Sequence, residues 1–270
     1  MALLTFELPD GTTRRVDVVQ VLNAGYAGRS QDDVAAHVAE LAELGVPAPS
    51  VTPALYPVSP YLAQHTDRVS VQHGRTSGEA EWALVVDGDG ELLLTAACDH
   101  TDRELEVHGV AWSKNAGPDV LARRAWRLAD VQERLDTLTL RAWVSHAASG
   151  GSGDGAGSRD GAGSGDGAGS GDGAGSGDGA GGAGGSGGFG KETVIQDGTL
   201  AELLTPGYWA EVLRERGDLL PGTVLISGTI PMAEGVDQFA DRWRVELGDP
   251  ATGDVIELAY DVVRMPAPIG

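Results

Sequence analysis

Apolar and polar positions alternate along much of this chain, and period-two alternation predicts β-strands. The segment Met1 to Gly11 reads as a strand ending in a turn, and Glu7 to Val18 as a hairpin. Thr137 to Val144 alternates again, as does Glu192 to Gln196 before an Asp197-Gly198 turn. Val224 to Ile226 is a buried strand following the turn Leu220-Pro221-Gly222. Two stretches change period. Ser30 and Asp33 form a Ser-x-x-Asp helix start, after which Val34, Val38, Leu41 and Leu44 share one face as far as Gly45. Leu200 to Arg216 predicts a second helix, stopped by Gly217. The pattern is mainly β with a few helices, an α+β chain.

Residues 148–190 break every pattern. A Gly-Ser-Gly-Asp-Gly-Ala unit repeats there, with Asp154, Asp160, Asp166, Asp172 and Asp178 in register, and 146–190 holds 22 of the 41 glycines. Nothing in it can bury enough surface to offset its ordering entropy, so a disordered coil is expected. A calcium-binding repeat needs large apolar residues to stack, and Ala is too small. Strand-like segments on both sides make the tract an expanded hairpin tip within one domain, 1–147 plus 191–270, because lengthening a loop costs little.

Composition narrows the function. At 41% hydrophobic and 22% charged, the 270 residues fit a soluble globular protein. A net charge of -21 argues against nucleic acid and anionic membrane as partners. The lone Cys98 excludes an internal disulfide and a cysteine zinc site. It reads as a compact buried residue. No run approaches the roughly 18 apolar residues of a membrane span, and the N-terminus lacks a basic leader, so a cytoplasmic location is expected.

Three carboxylates carry the candidate chemistry. Glu79 and Glu81 lie two apart in Ser77-Gly78-Glu79-Ala80-Glu81-Trp82-Ala83-Leu84-Val85-Val86, so on a strand they project side by side. They repel unless something positive lies between them. Asp99, in Ala97-Cys98-Asp99-His100-Thr101-Asp102-Arg103, is a third candidate for an all-oxygen cage of the kind hard divalent cations prefer. The alternative is a solvated strand face.

Several blocks, taken in order, resemble the fumarylacetoacetate hydrolase superfamily, most closely a bacterial branch classed as a domain of unknown function. They are Asn23-Ala24-Gly25-Tyr26, His37-Val38-Ala39-Glu40, Gly45 to Pro49, Tyr56-Pro57-Val58-Ser59-Pro60, Glu79 to Val86, Asp99 to Glu106, Trp112-Ser113-Lys114 and Ser227-Gly228-Thr229-Ile230-Pro231. The resemblance implies a mixed β-roll, a homodimer, and Mg²⁺, Mn²⁺ or Ca²⁺ on Glu79, Glu81 and Asp99. It implies a small 2-oxo or 1,3-dioxo acid as substrate, cleaved at a carbon–carbon bond through a metal-stabilised enolate. Decarboxylation and hydration or isomerisation are close variants.

The same resemblance makes His37 and Glu40 a catalytic pair, three apart on a helix, and Lys114 a third catalytic group. Arg103 and Thr229 become substrate-binding residues. Ordinary roles compete with each: an exposed helix face, a surface lysine, an arginine paired with acids, a turn threonine. His100, beside Asp99, is a candidate supporting residue. The chain departs from the superfamily after Lys114, at Asn115 to Asp119, and after Thr229, at Ile230 to Ala233. Glu106 stands where many members carry glutamine. These changes bear on the substrate more than on the cation. A metal-binding or regulatory protein without turnover, or a decayed homologue keeping only the fold, are the competing classes.

Overall fold

The computed structural model describes residues 2–43, 51–147, 190–267 and 269, with the side chains at 31, 37 and 40–43 outside that description. The chain opens on a hairpin of β1 (Ala2–Glu7) against β2 (Thr13–Val18). Asp10 Oδ1 accepts from the Thr12 amide and hydroxyl, and Gly11 turns the chain at a φ of 78°, where a side chain would be strained. β3 (Gln20–Gly25), α1 (Gln31–Glu43), β4 (Ala54–Val58), β5 (Ala63–Gln64) and β6 (Arg68–Val71) follow. The long pair β7 (Thr76–Val86) and β8 (Leu92–Asp102) is joined by a turn in which Asp87 Oδ1 accepts from the amides of Asp89 and Glu91. Then come α2 (Arg103–Glu106), α3 (Val110–Lys114), β9 (Asp119–Leu121), β10 (Trp126–Arg127), α4 (Leu128–Val131) and β11 (Thr139–Ser145). After the glycine tract the chain forms β12 (Thr193–Thr199), α5 (Pro206–Arg216), β13 (Thr223–Ile226), β14 (Arg242–Asp249) and β15 (Asp254–Arg264).

Strands dominate, as the alternation predicts, and most of them form two sheets. The larger is mixed, in the order β4-β3-β13-β7-β8-β9-β5, with β10 added to β8. The second runs β12-β11-β14-β15-β6. Even-numbered residues of the long pair (Trp82, Leu84, Leu94, Ala96, Cys98) face the second sheet and bury against Leu140, Trp243, Val245, Leu247, Ile256 and Tyr260. Odd-numbered residues face the other way. Ala83, Val85, Leu93 and Ala97 meet Leu121, Val224 and Ile226, and the β1–β2 hairpin covers this side with Leu4, Phe6, Val16 and Val18. The large sheet is curled. Asn23 on β3 hydrogen-bonds Asp119 on β9 although three strands lie between them in the sheet order.

Ser30 begins α1 as expected, its hydroxyl accepting from the Asp33 amide at 3.3 Å. Leu44 and Gly45 lie outside the described residues, so the expected end of this helix does too. The predicted helix over Leu200 to Arg216 is two elements. Leu200–Glu202 is a single 3₁₀ turn, and α5 starts afresh at Pro206 with Thr205 Oγ1 accepting from the Tyr208 amide. Proline has no amide hydrogen to continue a helix and fits a first turn, so it divides the pattern. Gly217 closes α5 at a φ of 77°. Asp197-Gly198 is not a turn, because β12 runs straight through both residues, paired with Leu140 and Arg141. β11 and β12 are antiparallel, and the Gly190 amide donates to the His146 carbonyl at 2.9 Å, so residues 147–190 connect the open end of one hairpin. Residues 148–189 of that tract lie outside the described residues. No described helix is long and apolar enough to cross a membrane.

Candidate metal centre

Strand register builds the centre. Glu79 pairs directly with Asp99 across β7 and β8, and Asp99 pairs with Asp119 across β8 and β9. Directly opposite residues share a face, as do residues two apart on one strand. Glu79, Glu81, Asp99 and Asp119 therefore occupy one patch of the face that is apolar deeper in, at Ala83, Val85 and Ala97. One oxygen from each of Glu79, Glu81 and Asp99 lies within 4.8 Å of the others. Ligands on one Mg²⁺ or Ca²⁺ can be no farther apart than about 4–5 Å, twice the metal–oxygen distance.

The carboxylates are under-satisfied. Glu81 is fully buried, and neither of its oxygens has a hydrogen-bond partner among the described residues. Asp99 Oδ1, Asp119 Oδ2 and Asn23 Oδ1 are likewise buried without a partner among the described residues. Unmet acceptors deep in a protein are costly and call for a ligand. Burial, and then the neighbouring carboxylates, push the Glu81 acid well above the usual range despite the opposing field of Lys114. Asp119 is pushed up by burial and by Asp99, with Lys114 and the Asn23 hydrogen bond working against the rise.

Two basic side chains offset part of the charge. Lys114 is the last residue of α3 and is buried. Asn115 holds that helix end in place: its Oδ1 accepts from the Ser59 amide at 3.0 Å, and its Nδ2 donates to the Pro57 carbonyl. Lys114 Nζ donates to Asp99 Oδ2 and lies 3.6 Å from Glu79 Oε2. Burial disfavours its charge, but Asp99, Glu79 and Glu81 outweigh that and hold it protonated, above the ordinary lysine range. Arg103 opens α2, a helix capped by Asp102, which accepts from the amides of Glu104 and Leu105. Its Nε donates to Ser77 Oγ at 2.8 Å, Nη2 to Glu79 Oε1 at 2.9 Å and Nη1 to Glu106 Oε2 at 3.2 Å. Tyr26 and Tyr56 are half-buried and lie within the fields of Glu106 and Lys114. With all four carboxylates ionised, they exceed the two cations by two charges before Glu106 is counted, the complement of one divalent ion. The donor set, its spacing and its unmet oxygens fit such an ion.

The other expected residues fall as follows. Thr229 Oγ1 donates to the Ala80 carbonyl between the two glutamates and accepts from Gln196 Nε2, both at 2.8 Å. His37 and Glu40 lie on the α1 backbone, but their side chains are outside the described residues. His100 points to the opposite face from Asp99, where its nitrogens meet Tyr260 Oη and Thr76 Oγ1, both at 3.0 Å. Burial, and less so Arg103, pushes its imidazole down to about 3. Asp119, Asn23 and Glu106 were not read as site residues. Asp119 carries a faint signal, an aspartate opening an otherwise apolar strand.

With this geometry in view, the mainly β, curled-sheet fold is one that solved structures share. A structure of 2-keto-3-deoxy-D-arabinonate dehydratase complexed with magnesium and 2,5-dioxopentanoate is similar, with a TM-score of 0.54 and 16% identity, over 94% of this chain and 77% of that one. The apo form of that dehydratase is similar to the same degree, at a TM-score of 0.55 and 16% identity, with 94% and 77% covered. The chain belongs to the family described as a protein of unknown function, DUF2848, which it matches over residues 24–153 and 187–260. The two matched stretches leave out residues 154–186, most of the glycine tract. No curated protein matches the chain.

Proposed function

We propose that this chain is an Mg²⁺-dependent enzyme acting on a small 2-oxo or 1,3-dioxo acid, with bond cleavage at the carbon beside the keto group. One observation carries the reading: Glu79, Glu81 and Asp99 converge, and both oxygens of Glu81 and Oδ1 of Asp99 are buried without a hydrogen-bond partner among the described residues. A bound divalent ion would supply Lewis-acid polarisation of the substrate's oxygens and offset the charge of a developing enolate. The protein's own groups do the rest. Burial keeps water away from the carboxylates and strengthens every charge interaction there. Lys114 Nζ, held protonated, donates a hydrogen bond to an anionic substrate. Arg103 fixes Glu79 from the side and keeps Glu106 near the half-buried edge. We assign the proton acceptor to His37, with Glu40 beside it, on their spacing in α1. The superfamily resemblance adds the expectation of a homodimer, which sedimentation would check.

Carbon–carbon hydrolysis leads within this reading, and elimination of water is the near variant, since the similar solved structures are of a dehydratase. A metal-binding protein without turnover is the second reading. It is favoured by Arg103 and Thr229, whose polar atoms are engaged within the protein. A panel of acylpyruvates, oxaloacetate and hydroxylated 2-oxo acids, assayed with Mg²⁺ or Mn²⁺ and again with chelator, separates the two. Chelator-sensitive turnover of a panel member supports the enzyme. A chain that binds the metal but turns over none of them supports the second reading.

A further inference from the structure

We propose that Lys114 is the resident counter-ion of the carboxylate row. It holds Asp99 and Glu79 in the metal-free chain and competes with a divalent cation for both. The inference rests on the reading that these carboxylates take such a cation.

The position of Nζ is the first argument. It donates to Asp99 Oδ2 and stands 3.6 Å from Glu79 Oε2, so it touches two of the three converging carboxylates. An ion shared by Glu79, Glu81 and Asp99 would lie among carboxylates that this ammonium already contacts. The second argument is how differently the two cations are held. Arg103 is fixed by contacts to three residues, Ser77, Glu79 and Glu106. Lys114 has one hydrogen bond and one longer pair, at the end of a flexible four-carbon stem. It is the side chain that can yield.

Residue usage is the third argument. The chain contains 17 arginines and only two lysines, Lys114 and Lys191. A guanidinium among these carboxylates would fork onto them in two-point contacts and stay, whereas an ammonium is a compact point charge that can move aside. A destination lies close by. Glu106 interacts electrostatically with the half-buried phenols of Tyr26 and Tyr56, as Lys114 does. The fourth argument is what would happen without the lysine. Glu79, Glu81, Asp99 and Asp119 would face one another with Arg103 alone against them, and such a row would repel itself.

Titrating Mg²⁺ and Mn²⁺ calorimetrically into the native chain and into Lys114→Met tests this. The variant should bind about tenfold more tightly or better, because the competing charge is gone. Its metal-free melting temperature should fall and its metal-induced rise should exceed that of the native chain. A folded variant with equal or weaker affinity overturns the counter-ion role and leaves the metal reading standing. A native chain that binds neither ion overturns both. If Lys114→Met does not fold, the native chain suffices. Acylation by acetic anhydride, read by mass spectrometry against the exposed Lys191, should speed up at Lys114 when Mn²⁺ is added. Unchanged or slower acylation overturns the proposal.

Discussion

At the scale of single residues, Glu81 is the clearest sign that the chain is built for something other than stability. A fully buried carboxylate with no partner is costly, and a protein that never bound a cation there would be more stable without it. Glu81→Gln should therefore melt at an equal or higher temperature than the native chain without metal, yet lose the rise produced by Mn²⁺. Differential scanning fluorimetry with and without the ion checks both parts. A variant that keeps the native metal shift would remove Glu81 from the ligand set. His100 makes a different prediction. Its folded value is about 3 against an ordinary 6.5, so it resists protonation in the fold and accepts it when unfolded. The stability it contributes is complete above pH 6.5 and fades as pH falls from there toward 3. Glu81 and Asp119, with raised values, act in the opposite sense, because acid relieves them. The comparison that isolates His100 is with His100→Gln, whose melting temperature should fall less between pH 7 and pH 5 than that of the native chain.

At the scale of elements, the centre depends on how short segments are pinned. Gly117 is an example. A Cβ there would sit 2.0 Å from the His100 carbonyl oxygen, which is backbone and cannot swing away. The close approach lets the His100 amide reach the Pro118 carbonyl and brings Asp119 into line with Asp99. Gly117→Ala should cost at least about 2 kcal/mol in chemical denaturation and weaken metal binding with it. Thr205→Ala should cost only about 1 kcal/mol, the worth of one helix cap, and leave metal binding alone. These elements also show what could be read in advance. The side-by-side projection of Glu79 and Glu81 follows from a spacing of two on a strand and was legible. Their meeting with Asp99 follows from a hairpin register that resemblance, not spacing, supplied. Asp119 was missed because β9 joins β8 through a pairing distant in sequence, and Asp-Val-Leu alone looks like an ordinary strand start. The helix ending at Gly217 was legible in its apolar face and its stop, but its start was masked by the apolar Leu200, Leu203 and Leu204 before Pro206. Asp197-Gly198 has turn composition, yet two neighbouring strands hold it extended.

At the scale of the molecule, the curl of the large sheet does the main work. It turns one face inward, fills most of it with apolar side chains and the β1–β2 hairpin, and leaves the end lined by acids. The glycine tract is attached at the far end of the β11–β12 hairpin in the second sheet, and the family match passes over residues 154–186. Removing residues 150–188 should therefore leave the melting temperature and the metal response within error of the native chain. Loss of soluble protein would assign the tract a structural part. The central claim is that Glu79, Glu81 and Asp99 share one divalent ion. Anomalous diffraction from crystals grown with Mn²⁺ tests it most directly. The account predicts a single strong peak per chain, within about 2.0–2.4 Å of an oxygen from each of the three side chains. A peak elsewhere, or none at saturating Mn²⁺, contradicts it.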